Sequence, residues 1–141
     1  MLDSLHSSTY IQFLKLSNTL DLCITMSLPL PADLSLKGKK LGILLSTPPE
    51  NPNAETVTKL GEEALRSGVD VYLYLIDEGV KNLQNPPLVA LASSGAKFFV
   101  CAYGCQQHKV STEGYPKEVT FCGLVVLSNI ITGCDRFLAF N

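Results

Sequence analysis

Residues Leu41–Ile76 read LGILLSTPPENPNAETVTKLGEEALRSGVDVYLYLI, and this stretch decides the architecture. A short apolar run, Leu41–Ser46, gives way to Thr47-Pro48-Pro49-Glu50-Asn51-Pro52-Asn53, where prolines without amide donors enforce a loop. Val57, Leu60, Gly61 and Ala64 then recur at i, i+3, i+4 and i+7. That period predicts an amphipathic helix over about Ala54–Ser67, with Asn53 as its N-cap and Gly68 closing its C-terminus. Val69–Ile76 returns to β-branched and aromatic residues. Two nearly unbroken apolar strands separated by one helix form a parallel βαβ unit, because strands buried on both faces show runs rather than alternation.

The same rhythm continues downstream. Asp77-Glu78-Gly79-Val80 opens a loop expected to carry a short helix. Pro86 and Pro87 suit the first turn of a helix, Leu88–Ser94, which Gly95 ends. Lys97–Cys101 forms a third strand, a helix is expected to begin at Ala102, and the polar stretch Ser111–Lys117 leads to a fourth strand, Glu118–Cys122. Leu124, Leu127, Ile130, Ile131 and Cys134 fall on one face of a last helix before the strand Arg136–Phe140. The expected class is α/β: a three-layer α/β/α sandwich of flavodoxin-like shape, with a five-stranded, mainly parallel sheet and helices on both faces. Residues 37–141 make up this domain. Residues 1–36 read as an N-terminal extension in which Leu14, Leu16, Leu20 and Leu22 suit either a short amphipathic helix or a poorly ordered segment, and no function is assigned to it.

Composition limits the function classes. A chain of 141 residues suits one domain, and 46% hydrophobic against 17% charged residues excludes disorder. Eleven basic and thirteen acidic residues give a net charge of −2, and no basic stripe interleaves with aromatics, so neither nucleic acid nor an anionic membrane surface is the expected partner. The longest apolar stretch, Gly123–Gly133, contains Ser128 and Asn129 and is too short to span a bilayer. Leu20–Leu30 makes a poor secretion signal because Asp21 interrupts it. Five cysteines without a regular framework, at 23, 101, 105, 122 and 134, read as reduced thiols of a soluble cytoplasmic protein.

In an open parallel sheet the functional crevice lies beyond the carboxyl ends of the strands, so the loops at 47–53, 77–80 and 101–108 matter. Only the third offers a nucleophile. Cys101, Cys105 and His108 stand at i, i+4 and i+7 and share nearly one face of a helix starting at Ala102. A thiol between a strand and a helix start meets unpaired amides and the positive end of the dipole, which favour thiolate, and Cys101 holds that position. Cys105 lies one turn on as a second thiol, and His108 is placed to raise its reactivity or accept a proton; the plainer readings are a core cysteine and a solvated surface histidine. Cys134 and Cys122 read as structural, although Cys122 ends a strand that faces the crevice.

Other chemistries fit less well. Cys101, Cys105, His108 and Cys122 supply four zinc-ligand types, but the Cys-x2-Cys knuckle is absent and one helical face presents three ligands to one ion only with strain, so no metal is expected. Phosphate-loop motifs are missing, and the loop at 47–53 is poor in the glycines and serines that would cradle a flavin phosphate, so no cofactor is expected. Asp77 and Glu78 are neighbours that point apart, and read as loop solvation with helix N-terminal charge.

The chain resembles the DsrE/DsrF-like sulfur-relay proteins, which include the TusD-type subunits, over Leu41–Asn141. The likeness rests on Lys40–Leu45, Glu63–Gly68, the strand Val69–Ile76 with Asp77-Glu78-Gly79-Val80, Gly95–Cys101, and the terminal helix with Cys134–Phe140. It implies a sulfur carrier or sulfurtransferase that holds sulfur as a persulfide on the cysteine ending the third strand, here Cys101, and passes it from a donor protein to an acceptor. It also implies a homo-oligomer, a trimer or hexamer. His108-Lys109 stands where relatives often carry Arg-Gly, and Cys105 lies one residue beyond the second cysteine of some members. Two alternatives stay open: a peroxiredoxin-like thiol redox protein using the Cys101/Cys105 pair, and a non-catalytic flavodoxin-like binding module.

Overall fold

The structure, a computed structural model, describes residues 35–141; the readings made for the N-terminal extension and Cys23 lie outside the described residues. Leu36–Asn141 form one unit. Its strands are β1 (Lys40–Leu45), β2 (Asp70–Leu75), β3 (Lys97–Cys101), β4 (Val119–Cys122) and β5 (Arg136–Phe140). The helices are α1 (Pro52–Arg66), α2 (Pro86–Ser93), α3 (Ala102–Gln107) and α4 (Leu124–Gly133), and a 3-10 segment, Asp77–Gln84, precedes α2. The expected sheet is present, and every neighbouring pair of strands runs parallel.

Strand order is β4-β3-β2-β1-β5. The first three crossovers step the same way along the sheet, so right-handedness places α1, α2 with its 3-10 lead-in, and α3 on one face. The chain then returns from β4, at one edge, to β5 beside β1, at the other. That reversed step puts α4 on the opposite face.

Register sorts the side chains between the faces. Ile43, Leu73 and Phe98 are cross-strand partners, as are Leu45, Leu75 and Val100; all six are buried and face α1 and α2 with Val57, Leu88 and Leu91. Burying each such side chain contributes about 1.5–3 kcal/mol. The other face carries Gly42, Tyr72, Tyr74 and Phe99, and among the described residues α4 is the helix that lies on it. A Cβ on Gly42 would lie 2.7 Å from Phe137 and 3.0 Å from Ile130, so glycine there lets α4 and β5 settle onto the sheet.

Two local expectations are corrected. The N-cap of α1 is Asn51, not Asn53: its side-chain oxygen accepts from the Asn53 amide at 2.9 Å, and Pro52 begins the helix where its missing N–H costs nothing. In α4 the inward stripe is Val126, Leu127, Ile130 and Cys134, while Leu124 and Ile131 are 60% and 47% exposed and Val125 is 76% exposed. Ser128, Asn129 and Thr132 mark the solvent side of α4, but its apolar residues cover a wider arc than the inward face, so period alone does not separate Leu124 and Ile131 from the residues that turn inward.

Candidate functional site

The reversal of crossover direction locates the crevice. Chain leaving β3 turns toward the face of α1 and α2, whereas chain leaving the adjacent β4 turns toward the other face, so their carboxyl ends part and open a cleft at the switch point. A cleft of about 320 Å³ lies there, lined by Ile76, Asp77, Cys101, Tyr103, Gly104, Gln107, His108, Gly123 and Leu124. These residues come from the end of β3 and from the segments that follow β2, β3 and β4, α3 included.

Cys101 ends β3 and is the N-cap of α3, with extended backbone at φ −66° and ψ 110°. Its Sγ accepts a hydrogen bond from the Gly104 amide at 3.4 Å, the contact a capping side chain makes to an otherwise unpartnered donor of the first turn. The sulfur is recessed rather than bare: Cys101 is 5% exposed at the wall of the cleft. Gly104 fits this arrangement closely, since an added Cβ would sit 3.0 Å from Val80 and 3.5 Å from the Cys101 Cβ.

Opposite α3 stands the 3-10 segment. Asp77 opens it with φ 51°, a left-handed conformation that aspartate tolerates at a cost of about 1 kcal/mol. Its carboxylate accepts from His108 Nε2–H at 3.1 Å, so the histidine that caps α3 is bound across the cleft to the loop after β2. Glu78 pairs instead with Lys81 at 2.8 Å. Two features that sequence reasoning missed hold the segment in place. Gly79 lies so close to β1 that an added Cβ would be 2.0 Å from the Leu45 oxygen, and its amide donates to Ser46 O at 3.0 Å. The fully buried Asn82 donates to Thr47 O and to Gly79 O, both at 2.9 Å. The Asp-Glu-Gly-Val run was visible in sequence; the contacts that explain its glycine are not local.

Of the three residues read as a constellation, the structure brings Cys101 and His108 to the cleft and turns Cys105 into the core. Burial pushes the Cys105 thiol up from its ordinary range, and proximity to Cys101 adds to this. Cys122 is the cross-strand partner of Cys101 in β3–β4 and half-buried. Burial pushes its thiol up too, opposed by the Tyr74 hydroxyl and the Val100 amide. Tyr74 itself is fully buried, and its hydroxyl donates to Gly123 O at 3.1 Å. Desolvation, followed by the neighbouring Cys122 and Cys101, drives that hydroxyl far above its usual value, so it stays protonated. Cys134 packs under α4, with burial raising its thiol.

The described residues hold no group of three or more His, Cys, Asp or Glu side chains arranged for a metal ion, and none of their helices is long and apolar enough to cross a membrane. The loop at 47–53 borders a separate cleft of about 490 Å³ lined by Glu50, Glu55, Lys59 and Glu62 among others.

Comparison with known proteins agrees with this architecture. The model of the DsrE/DsrF-like family matches residues 39–140. The crystal structure of the ychN protein from E. coli superposes with a TM-score of 0.56 at 17% identity, covering 73% of this chain and 99% of that one. A conserved protein of unknown function from Bacteroides thetaiotaomicron, BT1422, gives a TM-score of 0.53 at 16% identity, covering 72% and 95%. At such identities the two likenesses concern the fold. No curated protein matches the sequence significantly.

Proposed function

Since the chain belongs to the DsrE/DsrF-like family, we propose that it is a sulfur carrier of the sulfur-relay type, holding sulfur as a persulfide on Cys101. The observation that carries this reading is Cys101 Sγ at the switch-point cleft, capped by the Gly104 amide. Persulfide chemistry needs a sulfur that can attack as its anion and be regenerated as a leaving group, and an amide aimed at sulfur holds negative charge there better than it holds a neutral thiol. Loading proceeds by attack of the Cys101 thiolate on the outer sulfur of a donor persulfide, which releases the donor's thiolate. Delivery reverses this: an acceptor thiolate takes the outer sulfur and Cys101 leaves as thiolate. The cleft has room for the extra atom.

His108, bound to Asp77, fixes the end of α3 and the loop after β2 as the two sides of the entrance. Donor and acceptor are proteins that present a cysteine to that entrance, with Tyr103, 67% exposed, beside it. The chain works as a homo-oligomer, trimer or hexamer, of TusD-type character, with the apolar side chains left outside on α4 as the surface between copies. Four free thiols among the described residues suit a reducing, cytoplasmic setting.

The test loads the full chain with a persulfide donor and weighs it. A gain of one sulfur atom that disappears in Cys101→Ser supports the reading, and uptake that persists in that variant refutes it.

A further inference from the structure

Cys122 has no part in the carrier chemistry, yet it stands against the reacting sulfur. Cys101 and Cys122 are direct partners in the parallel ladder of β3 and β4. Adjacent strands lie about 4.8 Å apart, and partners in register project to the same face. That separation is within the Cα range that a disulfide spans, about 4.4–6.8 Å. Register through Phe99 brings Tyr74 to this same face, where its buried hydroxyl adjoins both sulfurs. Two thiols and one phenol thus meet at the carboxyl end of the sheet, behind the cleft wall. Cys122 does not line the cleft, whereas Cys101 does. Displacement along a sulfur–sulfur bond requires the attacking sulfur to approach Cys101 Sγ opposite the outer sulfur; with the outer sulfur in the cleft, the attacker must come from outside it, and Cys122 is a neighbouring thiol that does not line it.

From this juxtaposition we infer that Cys122 is a resolving thiol, which discharges the Cys101 persulfide as hydrosulfide when no acceptor protein takes it. This rests on the sulfur-carrier reading. Cys122 sulfur attacks Cys101 Sγ, the bond from Cys101 Sγ to the outer sulfur breaks, and a Cys101–Cys122 disulfide forms. The Cys122 proton leaves on the outer sulfur as HS⁻. In this step the Cys122 sulfur is oxidised to the disulfide level, the outer sulfur is reduced to hydrosulfide and Cys101 Sγ exchanges one sulfur–sulfur bond for another, so no external oxidant enters. Burial keeps Cys122 largely as the thiol, which makes discharge slow beside delivery to a partner. Cys105, the thiol that spacing alone nominates for this role, is packed in the core on the turn below Cys101.

The test treats reduced full-length protein anaerobically with limiting inorganic polysulfide, removes the excess, and follows intact mass, released sulfide and disulfide-linked peptides. Wild-type protein is expected to gain one sulfur, release it as sulfide, and finish two hydrogens lighter than the reduced protein with the 101 and 122 peptides joined. Cys122→Ser is expected to keep sulfur on Cys101 and release sulfide roughly tenfold or more slowly, while Cys105→Ser behaves as wild type. If wild-type protein holds its sulfur as long as Cys122→Ser, or joins Cys101 to another cysteine, the resolving role is overturned and the carrier reading stands. If no sulfur reaches Cys101 in either protein, both fall. Should the variant not fold, the peptide map of the wild-type protein alone still decides whether Cys101 joins Cys122.

Discussion

Gly79→Ala would place a methyl group where the main chain of β1 already stands. The new Cβ would lie 2.0 Å from the Leu45 oxygen, 2.7 Å from the Leu45 carbonyl carbon and 3.1 Å from Ser46 Cα, all main-chain atoms. Main chain cannot rotate aside as a side chain can, so the 3-10 segment must lift by about 1 Å, the shortfall from normal carbon–oxygen contact. The movement strains the hydrogen bonds from the Ile76 amide to Leu45 O at 3.1 Å and from the Gly79 amide to Ser46 O at 3.0 Å. Losing two such bonds costs about 1 kcal/mol each, and residual overpacking costs about 1–3 kcal/mol. A more restricted unfolded chain returns about 0.4–1 kcal/mol. The net is a loss of about 2–4 kcal/mol, or about 10–20 °C in Tm for a unit of this size. Gly123→Ala is the control, since nothing lies within 4 Å of its added Cβ and its φ is −100°; its effect should stay within about 0.5 kcal/mol. Urea unfolding of both variants and wild type, followed by far-UV circular dichroism, measures the difference. Gly79→Ala unfolding within about 0.5 kcal/mol of wild type would mean that the close approach of Gly79 to Leu45 carries no such cost.

Three further outcomes are expected. Cys105, Cys122 and Cys134 all have thiols raised by burial, so they stay protonated in the folded protein at pH values where the unfolded chain ionises. Their contribution is intact below about pH 8.5 and is lost as pH rises; denaturant midpoints taken from neutral pH upward should fall on the alkaline side, and a flat profile would contradict the burial of these groups. Val125→Lys should leave the fold intact and shift the sedimentation coefficient toward the monomer, because Val125 is 76% exposed on α4; an unchanged assembly would place the contact elsewhere. Tyr74→Phe removes the donor to Gly123 O and should cost about 1 kcal/mol in denaturant unfolding, with stability equal to wild type counting against that bond.

Much of this was legible because hydrophobic period reports an element's type and breakers report its ends. Lys97–Cys101 and Arg136–Phe140 follow from apolar runs bounded by Gly95 and Asp135, and the helix at Ala102 placed Cys101 at a strand end. What escaped was decided by partners distant in sequence. Cys105 and Cys101 look alike by helical spacing, but the sheet and the 3-10 segment below α3 take Cys105 into the core. His108 finds Asp77 thirty-one residues away, and the Cys101–Cys122 pairing needs the β3–β4 register, which no local pattern encodes. On α4 the apolar arc is wider than the face that meets the sheet, so Leu124 and Ile131 fall outside it although Ser128, Asn129 and Thr132 mark the solvent side.

Whether sulfur rides on Cys101 within the switch-point cleft is best decided by a crystal structure of the polysulfide-treated Cys122→Ser protein, in which the resolving thiol is absent. Electron density should show one added sulfur atom bonded to Cys101 Sγ, lying between Gly104 and Gly123. Added sulfur on Cys105 or Cys134 with Cys101 unmodified would remove Cys101 from the carrier role.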